Sequence, residues 1–274
     1  MFIKPTTTTT TNTTRSTPSD RKLAFCTGIN DYPGSGNDLQ GCVNDAKEWA
    51  DLLSGVYGYK VTTRLNKKVS YGSYTEIFGN MIADSRAGDN IVGTYSGHGT
   101  NVPDQNGDES DGRDEALCLY DGYLIDDCIR EMFKNLHPEA TLTFISDSCH
   151  SASVTRAFMS TMYSKNPPRI RYMPPEDGFM GDINPNSKLF HPEENMNHIL
   201  ISGCQANEYS YDAYMGGRYH GAMTFNGINI LRRYPTITYD NFYKKLRNEL
   251  PSDSYPQSPS LEGRLELKNK IMFK

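Results

Sequence analysis

The sequence predicts an α/β fold with a mainly parallel central sheet and helices on both faces. Three observations predict it. Short apolar runs recur, at Lys22–Ile29, Asn90–Thr94, Thr141–Ser146 and His198–Ser202. They are separated by stretches whose apolar residues fall at helical spacing. Strands alternating with helices imply parallel pairing, with both faces of the sheet covered. Finally, two of the strands run straight into short motifs that carry reactive side chains. These are Tyr95-Ser96-Gly97-His98-Gly99 and Asp147-Ser148-Cys149-His150-Ser151. In open α/β sheets, the turns at the carboxyl ends of the strands line the ligand crevice.

The elements follow in order. Residues 1–20 are low in complexity, with an unbroken threonine run from Thr6 to Thr11, and read as a disordered tail. The opening lacks the apolar core of a secretory signal. Lys22–Ile29 reads as a buried strand ending in the turn cluster Asn30-Asp31-Tyr32-Pro33-Gly34. Asn44-Asp45 opens a helix with Ala46, Trp49, Ala50 and Leu53 on one face, closed by Gly58. Lys60–Leu65 reads as a second strand, and Tyr74, Ile77, Phe78, Met81 and Ile82 mark a second helix. Residues 104–127 form an acidic loop holding the short strand Ala116–Tyr120. Asp126-Asp127 starts a helix with Cys128, Ile129, Met132, Phe133 and Leu136 on its apolar face. Residues 157–196 lack periodicity, and a loop of that length is usually functional or mobile. Helices near 222–234 and 240–250 follow, and Leu265–Phe273 reads as an edge strand.

At 274 residues the chain can bury a sizeable core. Its net charge of −5 argues against a general nucleic-acid binder. It has no run of 18 apolar residues that would span a membrane. Six cysteines at 26, 42, 118, 128, 149 and 204 form no CxxC pair. They read as reduced thiols, and a cytoplasmic, intracellular setting is expected.

A cysteine and a histidine on neighbouring strand-end turns make a nucleophile and its base. Cys149 is the candidate nucleophile and His98 the base. His150 points away from its neighbour in an extended segment. The backbone N–H groups of Gly99 and Cys149 are candidate donors to a developing oxyanion. Cys26, Cys118 and Cys204 read as buried small hydrophobes, and His137, His191 and His220 as ordinary core or surface residues.

These residues resemble the metacaspases, in register from about Arg21 to the C-terminus. The resemblance rests on Gly28–Gly34, Leu39–Ala46, Tyr95–Thr100, Asp147–Ser151, the acidic segments Gly107–Glu115 and Ile125–Asp127, and Ser202–Gln205 with Gly221–Thr224. It implies a caspase-like three-layer sandwich in one catalytic domain over residues 21–274. That domain has a large-subunit-like part at about 21–156, the 157–196 loop, and a small-subunit-like part at about 197–274, closest to the type I arrangement. It also implies a cysteine endopeptidase that cleaves peptides or proteins after arginine or lysine. The substrate pocket would be lined by Asp45 and Asp147, with Cys42 and Ser96 beside them. Two carboxylates favour a guanidinium held by bidentate hydrogen bonds. Self-cleavage is expected in the 157–196 loop, which holds Lys165, Arg169, Arg171 and Lys188, and most of all within 165–171. A monomer is expected.

Calcium stays open. Asp104, Asn106, Asp108 and Glu115 fall at EF-hand positions 1, 3, 5 and 12, but Glu109 stands where the loop needs glycine, so an EF-hand is rejected. The resemblance implies a different site, on acids matching Asp114, Asp126 and Asp127 plus a fourth position that is Arg156 here. Either calcium binds there, or Arg156 pairs with Asp126 or Asp127 in its place. Two other functions also stay open: a catalytically silent binding or scaffold protein, and a calcium-sensing module.

Overall fold

A computed structural model describes residues 19–34, 36–103, 113–149, 165–175, 196–205 and 208–274. The threonine tail, Asp104 to Asp108 of the acidic loop, Arg156, Lys188 and His191 lie outside the described residues.

The strands are β1 (Lys22–Gly28), β2 (Lys60–Leu65), β3 (Asn90–Ser96), β4 (Gly99–Pro103), β5 (Arg113–Leu119), β6 (Gly122–Ile125) and β7 (Thr141–Asp147). They continue with β8 (Arg169–Ile170), β9 (Ile199–Ser202), β10 (Tyr211–Met215), β11 (Arg218–Gly221) and β12 (Ser260–Glu262). The helices are α1 (Cys42–Gly55), α2 (Tyr71–Ala83), α3 (Asp126–Lys134), α4 (Ala222–Arg233), α5 (Tyr239–Glu249) and the short α6 (Leu265–Lys268). The main sheet has the order β12-β9-β7-β3-β1-β2. All of its pairs are parallel except β12 with β9.

Side-chain alternation along these strands builds two cores. Ala24, Cys26, Val92 and Ile145 pack on one face with Trp49, Leu52 and Leu53 of α1, Ile228 and Leu231 of α4 and Phe242 of α5. Phe25, Ile91, Leu142 and Phe144 face the other way, against Tyr74, Phe78 and Ile82 of α2 and Phe133 of α3. Helices on both faces give three layers. Successive side chains point to opposite faces of a strand, so a strand buried on both sides reads as a continuous apolar run.

Gly93 in the middle of β3 lets Phe78 lie on the sheet. A Cβ there would overlap the Phe78 ring and stand 3.0 Å from Phe144. Gly93→Ala is therefore expected to destabilise the fold by about 1–3 kcal/mol, as overpacked cores do. Chemical denaturation reads this as a lower midpoint at unchanged slope.

Two sequence expectations change. Leu265–Phe273 is not an edge strand. The chain turns at Gly263 (φ 134°), and Ser260–Glu262 ahead of it pairs with β9 to form the edge. Beyond the turn, Leu265–Lys268 coils into α6. Met272 and Phe273 then bury in the first core, where Phe273 meets Trp49, Tyr57 and Tyr239 edge-on. The second change is at α1, which begins at Cys42 rather than Asn44. Its N-cap, Gly41, has no side chain. The Gly41 and Gln40 N–H groups are bound instead by the Asp212 carboxylate of β10, at 2.9 and 2.7 Å. An anion at this end also suits the helix dipole.

Candidate active site

β3 and β7 pair in register, so Ser96 stands beside Asp147 and the two motif turns leave the sheet side by side. His98 is fixed first. Its N–H donates to the Tyr32 hydroxyl at 2.8 Å, and its carbonyl accepts from the Tyr95 hydroxyl at 2.7 Å. The Tyr32 ring packs on the imidazole, 4.8 Å between centroids. Nε2 lies 2.7 Å from the Asn37 carbonyl, which assigns the proton to Nε2. Nδ1 is then a lone pair, buried and without a hydrogen-bond partner. Burial pushes the imidazole down to about 4, helped by the charges of Arg171 and Arg169 and opposed by the carbonyls of Asn37 and Arg171.

Cys149 is fully buried. Its thiol donates to the Ser210 carbonyl at 3.2 Å, and the Ser210 N–H donates to Sγ at 2.6 Å. Cys204 is buried in the first core, its thiol donating to the carbonyls of Ser148 at 3.5 Å and Glu208 at 3.4 Å, and the neighbouring Cys149 together with burial holds it well above the ordinary cysteine range.

The pocket beside the thiol is filled by the chain itself. Arg171 has 0% exposure. Its Nη2 donates to Asp45 Oδ2 at 2.6 Å and to Asp212 Oδ1 at 3.1 Å. Its Nη1 donates to the Asp147 carbonyl at 3.0 Å and lies 3.4 Å from Asp147 Oδ1. Burial opposes the charge, but Cys42 and the three carboxylates hold the guanidinium protonated well above the ordinary arginine value. Burial also works against Asp45, yet Arg171 and His220 keep its carboxyl below the usual range. Asp212 is pushed up by burial, against the pull of Arg171.

The carboxylates are themselves pinned. Asp45 accepts from the Gly221 N–H at 3.0 Å and faces His220 Nδ1 at 3.3 Å. Asp147 accepts from the N–H and hydroxyl of Thr224, at 3.0 and 2.7 Å, and from the Ser210 hydroxyl. Gly221 closes the pocket, where a Cβ would overlap Asp147 Oδ2 and Arg171 Nη1. Gly221→Ala is expected to lower kcat/KM on basic peptides by roughly tenfold or more, since a displaced charge partner weakens every bound guanidinium.

The backbone of Arg171 is held as firmly. Its N–H donates to the Ser210 carbonyl at 3.0 Å. Its carbonyl accepts from the N–H groups of Gly99 at 2.9 Å and Cys149 at 3.2 Å. The fold thus brings His98, Gly99, Cys149, Cys42, Asp45 and Asp147 around one arginine. Ser96 is buried beside Asp147 in the sheet register. Thr224 comes from the Gly221–Thr224 motif at the start of α4, whereas Asp212, Ser210 and His220 join the pocket unannounced by any motif, brought by the β10–β11 hairpin and the residue ahead of it.

A family model described as "Metacaspase, peptidase C14 domain" matches residues 22–157. Metacaspase-1 of Candida glabrata is 30% identical over 296 aligned positions, covering 92% of this chain and 75% of that protein. The chain belongs to the metacaspases. Metacaspase-1 of Cryptococcus neoformans var. neoformans is likewise 30% identical, and the chain spans 64% of its length. Among solved structures, protein GSU0716 from Geobacter sulfurreducens superposes with a TM-score of 0.71 at 26% identity, covering 93% of this chain and 98% of that one. Caspase-1 from Spodoptera frugiperda superposes at 0.55 with 12% identity, covering 92% and 90% of the two chains, and shows the shared caspase-like fold. No helix among the described residues of this metacaspase is long and apolar enough to cross a membrane.

Among the described residues of the acidic segment, an arginine pairs with two of the candidate calcium ligands. Arg130 of α3 forms ion pairs with both Asp126 and Asp127. Burial pushes the Asp126 carboxyl up to about 7, with Arg130 opposing and Glu115, Asp127 and Asp114 adding to it. Asp114 is fully buried on β5. Among the described residues no group of three potential ligands converges. A hard cation needs six to eight oxygens, most of them from ionised or carbonyl groups.

Proposed function

We propose that this metacaspase is an endopeptidase that cleaves after arginine or lysine, with Cys149 as nucleophile and His98 as base. One observation carries the reading: Arg171 sits in a pocket of three buried carboxylates with its carbonyl on two N–H groups beside the thiol. A substrate arginine placed the same way puts its carbonyl carbon next to Sγ. His98 Nδ1 takes the thiol proton and returns it to the leaving amine. The N–H groups of Gly99 and Cys149 bind the oxyanion as it forms. Self-processing within the loop after Cys149 belongs to the same reading, with Lys165, Arg169 and Arg171 as candidates. The scaffold and calcium-sensor alternatives have no comparable support, since an intact thiol, base and donor pair are what a silent site has no need to keep.

The specificity rests on charge. A peptide ending in arginine is expected to be hydrolysed at least about tenfold faster than one ending in aspartate, which would be buried among like charges. Comparing the two fluorogenic peptides tests this, and equal rates would reject it. We further propose that catalysis proceeds without calcium, because Arg130 already neutralises the acids of α3. Activity is expected to change less than about twofold between millimolar calcium and chelator. A monomer is proposed as well, because the β12 edge offers only three residues for pairing.

A further inference from the structure

Asp45 has two carboxylate oxygens, and only one of them meets the guanidinium. Oδ2 takes Arg171 Nη2 at 2.6 Å. Oδ1 faces His220 Nδ1 at 3.3 Å, and the Gly221 N–H lies 3.1 and 3.0 Å from the two oxygens. His220 is buried behind Asp45 on β11, opposite Ala213 of β10. The Phe225 ring of α4 packs on its imidazole, 5.4 Å between centroids. Its Nε2 accepts from Arg218 Nε at 3.1 Å. A ring nitrogen that accepts carries no proton, so the proton sits on Nδ1, toward Asp45. Arg218 is held in turn by an ion pair with Glu48, which follows Asp45 on α1. A line of four side chains thus runs from solvent, where Arg218 is exposed, to the pocket acid. The backbone fixes this line in place. Asn44 of α1 donates to the Tyr219 carbonyl at 2.9 Å, and Gly41 lets β11 lie close, since a Cβ there would stand 2.7 Å from the His220 backbone.

We infer that His220 is a positioning residue for specificity: held as its Nδ1–H tautomer by Arg218 and Glu48, it fixes the Asp45 carboxylate and so sharpens the preference of the pocket for arginine over lysine. This role rests on the arginine-directed peptidase reading above. The reason is geometric. Asp45 and Asp212 both accept from Nη2, whereas Nη1 turns to Asp147. A guanidinium is planar and rigid, so its nitrogens meet three acids only where each acid already stands in place. An ammonium is compact, its donors rotate, and it tolerates an acceptor that swings. Without the His220 N–H, Oδ1 keeps only the Gly221 N–H, and the carboxylate is free to turn.

Arg218 and Glu48 matter through the tautomer. Glu48 Oε1 lies 3.8 Å from His220 Nε2, near enough to draw a proton to that nitrogen if Arg218 were absent. The imidazole would then present a lone pair, not an N–H, to Asp45 Oδ1. Arg218 excludes this by occupying Nε2 with its own N–H. The sign of its effect separates this role from plain electrostatics. By charge alone, removing a cation near the pocket would tighten a bound guanidinium. Acting through His220, its removal weakens one.

The test compares fluorogenic arginine and lysine peptides on the full chain. Wild type is set alongside His220→Leu, His220→Asn, Arg218→Ala and the double variant of His220→Leu with Arg218→Ala. His220→Leu is expected to raise KM for the arginine peptide roughly tenfold, with kcat changed less than about twofold. For the lysine peptide its KM should rise less than about threefold. An asparagine amide stands where Nδ1 stands, so His220→Asn should bring the arginine KM back within about threefold of wild type. Arg218→Ala should raise that KM about threefold or more, and the double variant should match His220→Leu alone, because Arg218 acts through the imidazole. Nitrogen NMR of the wild-type imidazole near neutral pH should show a protonated Nδ1 and a bare Nε2. Equal losses on both peptides overturn the inference, as does the absence of rescue by asparagine. So does a lower arginine KM in Arg218→Ala, additive losses in the double variant, or a protonated Nε2 in wild type. In those cases the peptidase reading survives. If wild type hydrolyses neither peptide, the peptidase reading itself fails and the specificity role falls with it. If His220→Leu does not fold, Arg218→Ala, at an exposed side chain, and the wild-type NMR spectrum decide.

Discussion

Replacing Asp45 with asparagine is expected to lower kcat/KM on an arginine peptide by roughly 10²- to 10³-fold, the usual cost of leaving one member of a buried, hydrogen-bonded charge pair without its counter-charge. Asp45 is the pocket acid with the shortest direct contact to the guanidinium, 2.6 Å to Nη2. Asp147 touches it mainly through its backbone carbonyl, and its own carboxylate is already engaged by Thr224 and Ser210. Asp212 divides its carboxylate between Arg171 and the N-terminus of α1. The order of effects on arginine peptides should therefore place Asp45→Asn first. Asp212→Asn should add a loss of fold stability, because it also weakens the cap of α1. Steady-state kinetics on arginine and lysine peptides, paired with denaturation of each variant, separates the two. A change in kcat/KM of less than about threefold for Asp45→Asn would remove it from the specificity pocket, because a loss that small is within reach of an exposed pair.

What the sequence carried in advance was the local part of this architecture. The runs at β1, β3 and β7 are buried on both faces over most of their length and so carry apolar residues on both, whereas β9 alternates buried and half-buried positions. The two motif turns were legible because each sits at the end of such a run. What stayed hidden was made by contacts across the chain. Asp212 lies in an unremarked Tyr211-Asp212-Ala213 stretch and enters the pocket only because β10 comes to lie beside α1. The same carboxylate explains why α1 starts early: a capping rule looks for an oxygen two or three residues away, and here it comes from 171 residues away. His220 looked ordinary for the same reason, and it is Asp45, far off in sequence, that faces it. Leu265–Phe273 misled in the opposite direction. Its apolar residues suggest a strand, but the sheet edge had already been taken by Ser260–Glu262, and its last two aromatic and sulfur side chains serve the core instead.

His98→Ala is expected to reduce hydrolysis of the arginine peptide by roughly 10²- to 10⁴-fold, the range that general acid–base catalysis supplies. The pH dependence is the more discriminating measurement. His98 serves as base only when neutral, so each rate should fall as pH drops through its pKa. With Arg171 seated in the pocket, here called the closed state, burial and the charges of Arg171 and Arg169 push that value down to about 4. Self-cleavage measured in single turnover should therefore hold its rate well below pH 6 and fail only near pH 4. Once the segment has been cut and has left, water reaches the imidazole and the Arg171 charge is gone. The acid limb of peptide hydrolysis should then move toward the ordinary histidine value, about 6.5. The same difference has a thermodynamic consequence with a fixed sign. A group with the lower pKa in the closed state binds fewer protons there, so acid favours the open state. The penalty on closure begins as pH falls below about 6.5 and is complete near 4. Asp45, whose carboxyl is held below its usual range by Arg171, acts in the same direction at still lower pH, since protonating it releases the guanidinium. Trapping of Cys149 by an external alkylating arginine analogue, measured on the uncut chain, should therefore increase between pH 6.5 and 4 once the loss of thiolate is corrected for. Two coincident acid limbs for self-cleavage and peptide hydrolysis would instead mean that His98 feels the same surroundings with and without Arg171 beside it.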